Sequence, residues 1–67
     1  MLEVGDKIKI VYMEGEPHYS GREGTITSIK PDPWGDTAIR GTWGGLTVYP
    51  HKDSVEILEK GSTVGQN

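Results

Sequence analysis

The chain has 67 residues, no cysteine, ten glycines and four prolines, and a formal net charge of -3 from seven Lys plus Arg against ten Asp plus Glu. A chain this short has room for one core, and the missing cysteine excludes disulfide staples, thiolate metal sites and cysteine nucleophiles together. The acidic balance disfavours a protein whose affinity comes from neutralising phosphates, while leaving room for a local basic patch.

The sequence opens without a basic region followed by an apolar run, and it has no stretch of about 18 apolar residues of the kind a membrane span needs. The expectation is a single cytoplasmic domain with no membrane contact. The frequent glycines and prolines divide the chain into short segments that alternate in polarity, so the fold class expected is all-β. Lys7-Ile8-Lys9-Ile10-Val11-Tyr12 is the clearest strand, with isoleucines on one face and lysines on the other. Residues 13–22 form a long first loop broken by Gly15, Pro17 and Gly21. The β-branched run Glu23-Gly24-Thr25-Ile26-Thr27-Ser28-Ile29 predicts a second strand, in which Gly24 marks a bulge or a close approach of backbones.

Lys30-Pro31-Asp32-Pro33-Trp34-Gly35 reads as a turn, and Asp36 to Trp43 as a third strand. Gly44-Gly45 suits a two-residue hairpin leading into a fourth strand, Leu46-Thr47-Val48-Tyr49. Pro50 ends that strand, His51-Lys52-Asp53-Ser54 spans a single turn, and Val55-Glu56-Ile57-Leu58 makes a fifth strand. Residues 59–67 lack periodicity and read as a flexible C-terminal tail after a domain of residues 1–58. Five short strands hide their edges most economically by curling, and these loop lengths predict a small five-stranded SH3-like barrel. Its core would be Val4, Ile8, Ile10, Ile26, Ile29, Ala38 or Ile39, Leu46, Val48, Val55 and Ile57.

Two family patterns overlap on these segments. Val4-Gly5-Asp6-Lys7-Ile8-Lys9-Ile10 followed by Gly21-Arg22-Glu23-Gly24-Thr25-Ile26 resembles the opening of KOW-type barrels, which implies binding to RNA or a ribonucleoprotein. Glu14, Glu16 and Glu23 stand where such an RNA surface would carry lysine and arginine. Residues 34–58 are similar in order to the peptide-binding SH3 domain: Trp34 after a turn, Ala38-Ile39-Arg40 in the next strand, Gly44-Gly45, then Tyr49-Pro50 and a turn into Val55. That resemblance implies a groove tryptophan and an acidic first loop that holds a basic residue beside a proline-rich ligand. The paired tyrosines of that family's first loop are absent. Taken whole, the chain resembles a small SH3-like family of bacteria and their phages that has no assigned biochemical role to lend.

The chain contains Tyr12, Tyr19, Trp34, Trp43 and Tyr49 but no phenylalanine. Rings with a polar edge suit partly wet recognition surfaces, and they equally suit capping a barrel too small to close with aliphatics, or stacking on nucleobases. Trp43, beside the glycine pair, is read as structural. The functional expectation is a non-enzymatic binding or accessory module for a protein or peptide, with Tyr12, Glu14, Glu16, Tyr19, Trp34, Tyr49 and Pro50 as its contacts. The alternatives are a KOW-like nucleic-acid module acting through Lys7, Lys9, Arg22 and Arg40, and a domain for assembly or oligomerisation. No cofactor is expected. His51-Lys52-Asp53-Ser54 holds the side chains of a hydrolytic triad, but four consecutive residues point in divergent directions. A zinc site from His18, His51 and Asp53 lacks diagnostic spacing, so no metal is expected.

Overall fold

The computed structural model describes residues 2–61. Four antiparallel strands, β1 (Lys7–Tyr12), β2 (Glu23–Pro31), β3 (Thr37–Gly41) and β4 (Ser54–Glu59), form one sheet in the order β3-β2-β1-β4. Among the described residues, regular helix is limited to a 3-10 turn, Pro17–Tyr19, in the first loop. The alternation read in the first strand is realised directly: Ile8 and Ile10 are fully buried while Lys7 is exposed. The nine-residue β2 serves two partners. Its start pairs with β1, its remainder with β3, and a register shift between Ile26 and Ser28 lies where the partner changes.

Ile8, Ile10, Ile26, Ile39 and Val48 meet in one cluster with Met13, Tyr19 and Trp43. Each fully buried isoleucine contributes about 1.5–3 kcal/mol of transfer free energy. Ile29, Leu46 and Val55 pack at its margin, together with Leu2. Val4 and Ile57, expected inside, are 54% and 39% exposed. Val4 sits in the turn before β1, and Ile57 on a strand whose far side has no neighbour among the described strands. Met13, Tyr19 and Trp43, which hydrophobic alternation does not single out, fill the space instead.

The expected fourth strand forms only an isolated bridge, in which Ile39 and Val48 exchange both backbone hydrogen bonds at 2.9 and 2.8 Å. The reason lies in competing partners. The Leu46 carbonyl accepts the Trp43 indole N–H at 2.9 Å, and the Tyr49 N–H is donated to the Asp53 carboxylate at 2.8 Å. Gly44-Gly45 therefore belongs to a wider loop and not to a two-residue hairpin. Lys30 and Pro31, read as turn, extend β2, where Pro31 at the strand end needs no donor.

Trp43 fits because two strand glycines make way for it. A Cβ on Gly24 would lie 2.6 Å from the Trp43 backbone nitrogen, and one on Gly41 would run into the Trp43 ring and the Thr25 carbonyl. The close approach expected at Gly24 is thus real, and its partner is the Trp43 segment.

The two ends of the described chain are joined by Asp6, which is fully buried. Its carboxylate accepts the Glu3 N–H at 2.9 Å, the Lys60 ammonium at 2.8 Å and the Gly61 N–H at 3.0 Å. The Lys60 hydrogen bond, helped by the two backbone donors, holds the Asp6 carboxyl below its ordinary range against the opposing effect of burial. Asp6 in turn raises the Lys60 ammonium. Of the expected tail, Glu59 belongs to β4 and Lys60 and Gly61 to this clasp; residues 62–67 lie outside the described residues.

Candidate functional site

The β2–β3 connection is built on one carboxylate. Asp32 Oδ1 accepts the backbone N–H groups of both Trp34 and Asp36 at 2.9 Å, and its own N–H is donated to the Asp36 carbonyl at 2.8 Å. An aspartate that bonds the backbone two residues on is the usual chemistry of such a turn. Trp34, at the tip of this loop, is 83% exposed.

A second aspartate organises the surface beside it. After Pro50 the chain makes one turn, with the Lys52 and Asp53 N–H groups donating to the Tyr49 carbonyl at 3.0 and 2.8 Å. This turns the buried Asp53 side chain back, so that Oδ2 accepts the Tyr49 N–H and Oδ1 accepts the Glu14 N–H at 3.0 Å. One carboxylate thereby ties the first loop to the Tyr49 segment across 39 residues of sequence. The Lys52 ammonium lies over the Tyr49 ring, 5.4 Å from its centre.

Tyr49, half-buried, borders two depressions. One, of about 320 Å³, is lined by Glu14 and Glu16 of the first loop together with Met13, Leu46, Lys52 and Asp53. The other, of about 290 Å³, is lined by Asp32, Pro33 and Trp34 from the hairpin tip and by Ser28, Lys30, Pro31, Ala38 and Arg40 from β2 and β3. The surface around Tyr49 therefore has a mainly acidic side, with Lys52 at its border, and an aromatic side that carries two cations and the Asp32 carboxylate.

Of the peptide contacts expected, Glu14, Glu16, Trp34 and Tyr49 are brought to this surface. Tyr12 and Pro50 line neither depression. Tyr12 is half-exposed on β1 opposite Ser54, and Pro50 lies with His51 on the wall of a third, more apolar hollow of about 640 Å³ floored by Leu2, Ile29 and Ile39. Tyr19 is only 8% exposed, with the Arg22 guanidinium 4.0 Å above its ring, and belongs to the core.

The four basic residues considered for nucleic acid are dispersed. Lys7 is 3.9 Å from Glu23 and opposite Glu59, while Lys9 lies between Glu23 and Glu56 on the neighbouring strands. Arg22 covers Tyr19 and donates to the Trp43 carbonyl at 3.0 Å. Arg40 lines the depression beside Trp34. Both Asp53 oxygens accept backbone donors, and His18 lies 3.3 Å from Glu16 while His51 packs edge-on to Tyr49. Among the described residues no group of three His, Asp or Glu side chains is arranged to hold a metal ion.

Sequence reasoning missed Asp32, Asp53, Lys30 and Lys52 as parts of this surface. The signal for the aspartates was local: Asp32 follows Pro31 at a turn, and Asp53 directly precedes a strand. No family model, no curated protein and no solved structure matches the chain.

Proposed function

We propose that this chain is a non-enzymatic binding module, built on an SH3-like barrel, that recognises a protein or peptide segment through the surface centred on Tyr49. The barrel is supported by the division of β2 between two partners, by the Val48 bridge beyond β3, and by the short turn that links that edge to β4 beyond β1. The binding reading is carried by one observation: Trp34 and Tyr49 line a common depression, and Tyr49 also borders the one lined by Glu14 and Glu16. A tryptophan held in water by a defined turn has its apolar area available to a partner, and buried Trp and Tyr are the residues that most often dominate interface energies.

An extended segment with an apolar or proline residue against Trp34 and Tyr49, and a basic residue over Glu14 and Glu16, suits the residues that line this surface. The dispersal of Lys7, Lys9 and Arg22 among acidic and backbone partners gives the nucleic-acid reading less support. Selection from a library of short random peptides tests the proposal. Wild type is expected to retain a related set of sequences, and Trp34→Ala to weaken the best of them by roughly 30-fold, as for an interface hot spot. Unchanged affinity for Trp34→Ala, or a selection that retains no peptide, contradicts it.

A further inference from the structure

Four of the seven basic side chains make a direct contact in the fold, and a fifth is flanked by carboxylates in the strand register. Lys60 is held by Asp6 and Glu3, Lys7 by Glu23, Arg22 by Tyr19 and the Trp43 carbonyl, and Lys52 lies over Tyr49, while Lys9 stands between glutamates on both neighbouring strands. The other two, Lys30 and Arg40, form no ion pair among the described residues, and both line the depression beside Trp34. In a chain with net charge -3, the cations left over are concentrated at one place.

Strand register explains how they meet. Ser28 is paired with Arg40 and Lys30 with Ala38 across β2 and β3, while Ile29 is paired with Ile39 between them. Side chains alternate along a strand, so these four residues share the face opposite the one on which Ile29 and Ile39 meet the core. Serine and alanine are small and leave the floor open between the two long cations. Trp34 and Tyr49 supply the walls. The one carboxylate at this depression, Asp32, already accepts two backbone N–H groups through Oδ1.

We infer that this depression is a subsite for a carboxylate side chain of the bound peptide, held by Lys30 and Arg40 beside the aromatic contact. The inference rests on the peptide reading above and adds a direction to it. The peptide lies with an acidic residue against Lys30 and Arg40 and a basic residue against Glu14 and Glu16, with Tyr49 between them. Reversal places like charges together at both ends, and repulsion of that kind selects orientation and partner. A nucleic-acid strand fits less well, because phosphates continuing past Tyr49 would meet Glu14 and Glu16.

The same peptide library tests this inference, with wild type, Lys30→Gln/Arg40→Gln and Glu14→Gln/Glu16→Gln as baits. All four positions are outside the core, and an unchanged melting temperature checks that the variants fold. Wild type is expected to select an acidic residue at a fixed separation from a basic one. The Lys30→Gln/Arg40→Gln bait is expected to lose the acidic preference while keeping the basic one, and the Glu14→Gln/Glu16→Gln bait to do the converse. A peptide selected by wild type should bind the Lys30→Gln/Arg40→Gln variant roughly threefold to tenfold more weakly, the effect of two exposed charge pairs. Replacing that peptide's acidic residue by its amide should then cost nothing more.

Wild-type peptides that carry a basic but no acidic preference overturn this inference alone, as does an acidic preference that persists in Lys30→Gln/Arg40→Gln. Selection of no peptide overturns the peptide reading as well. Oligouridine that binds more tightly than any selected peptide, and loses affinity in Lys30→Gln/Arg40→Gln, reassigns the two cations to phosphate and also overturns it.

Discussion

The two tryptophans have opposite surroundings. Trp43 is 3% exposed, with its indole N–H donated to the Leu46 carbonyl and room made for it by Gly24 and Gly41. Trp34 stands at the tip of the β2–β3 loop, presented by a turn in which Asp32 satisfies the backbone and nothing covers the ring. The same residue type thus serves packing in one loop and display in the other. What separates them is whether neighbouring backbone leaves a slot: the strands around Trp43 carry glycines, whereas the Trp34 loop projects past the end of the sheet.

Removing Trp43 is the strongest way to test that contrast. Trp43→Ala deletes the largest ring of the core and is expected to cost about 3–5 kcal/mol. A domain of this length has only about 3–10 kcal/mol in total at the usual stability per residue. The variant should therefore be largely unfolded or melt far below wild type, as followed by circular dichroism.

Asp53→Ala should have an intermediate effect, because it leaves the Glu14 and Tyr49 N–H groups without their partner. The expected loss is about 1–3 kcal/mol in urea unfolding. It should be accompanied by weaker peptide binding, because Asp53 joins the two segments that form the acidic depression. A loss of stability with binding fully retained would show that this tie does not position the site.

The Asp6–Lys60 clasp predicts a pH dependence at both extremes. Asp6 has a folded pKa below its ordinary 3.8, so its contribution is present above pH 3.8 and is lost as pH falls through the lowered value. Lys60 is raised above 10.5, so its contribution is present below that pH and is lost as pH rises through the raised value. Melting temperatures across pH should show Asp6→Asn below wild type at neutral pH, with the gap narrowing under strongly acidic conditions. A constant gap would contradict the charged clasp.

Trp34→Ala should change stability least, by within about 0.5 kcal/mol, since the ring touches solvent more than protein. On the proposed peptide reading, its effect is expected in binding. A destabilisation comparable to that of Trp43→Ala would remove the distinction between the two rings.

Much of the scaffold was legible because period-two patterning is local. Ile8 and Ile10 announced β1, the β-branched run announced β2, and Thr37 to Gly41 fell within the segment read as the third strand. The fourth strand failed because its backbone partners are decided elsewhere: Trp43 takes the Leu46 carbonyl and Asp53 takes the Tyr49 N–H, leaving only Val48 to pair. Tyr19 was read as a contact because nothing adjacent in sequence reveals that Arg22 lies over its ring. The association of Trp34, Tyr49, Glu14 and Glu16 could be proposed from their loops, but the place of Lys30 and Arg40 beside them depends on the β2–β3 register. That register follows from tertiary packing of Ile29 on Ile39 and is not encoded in either segment alone.

The central claim, that one tryptophan is structural and the other meets the partner, can be read from a single titration. The two indole N–H groups give separate signals in a nitrogen-15 correlation spectrum, and that of Trp43, hydrogen-bonded to Leu46, should exchange slowly with solvent. Adding a selected peptide is expected to shift the Trp34 indole signal while leaving that of Trp43 nearly unmoved. A shift confined to Trp43, or binding that leaves the Trp34 indole unchanged, would contradict this account.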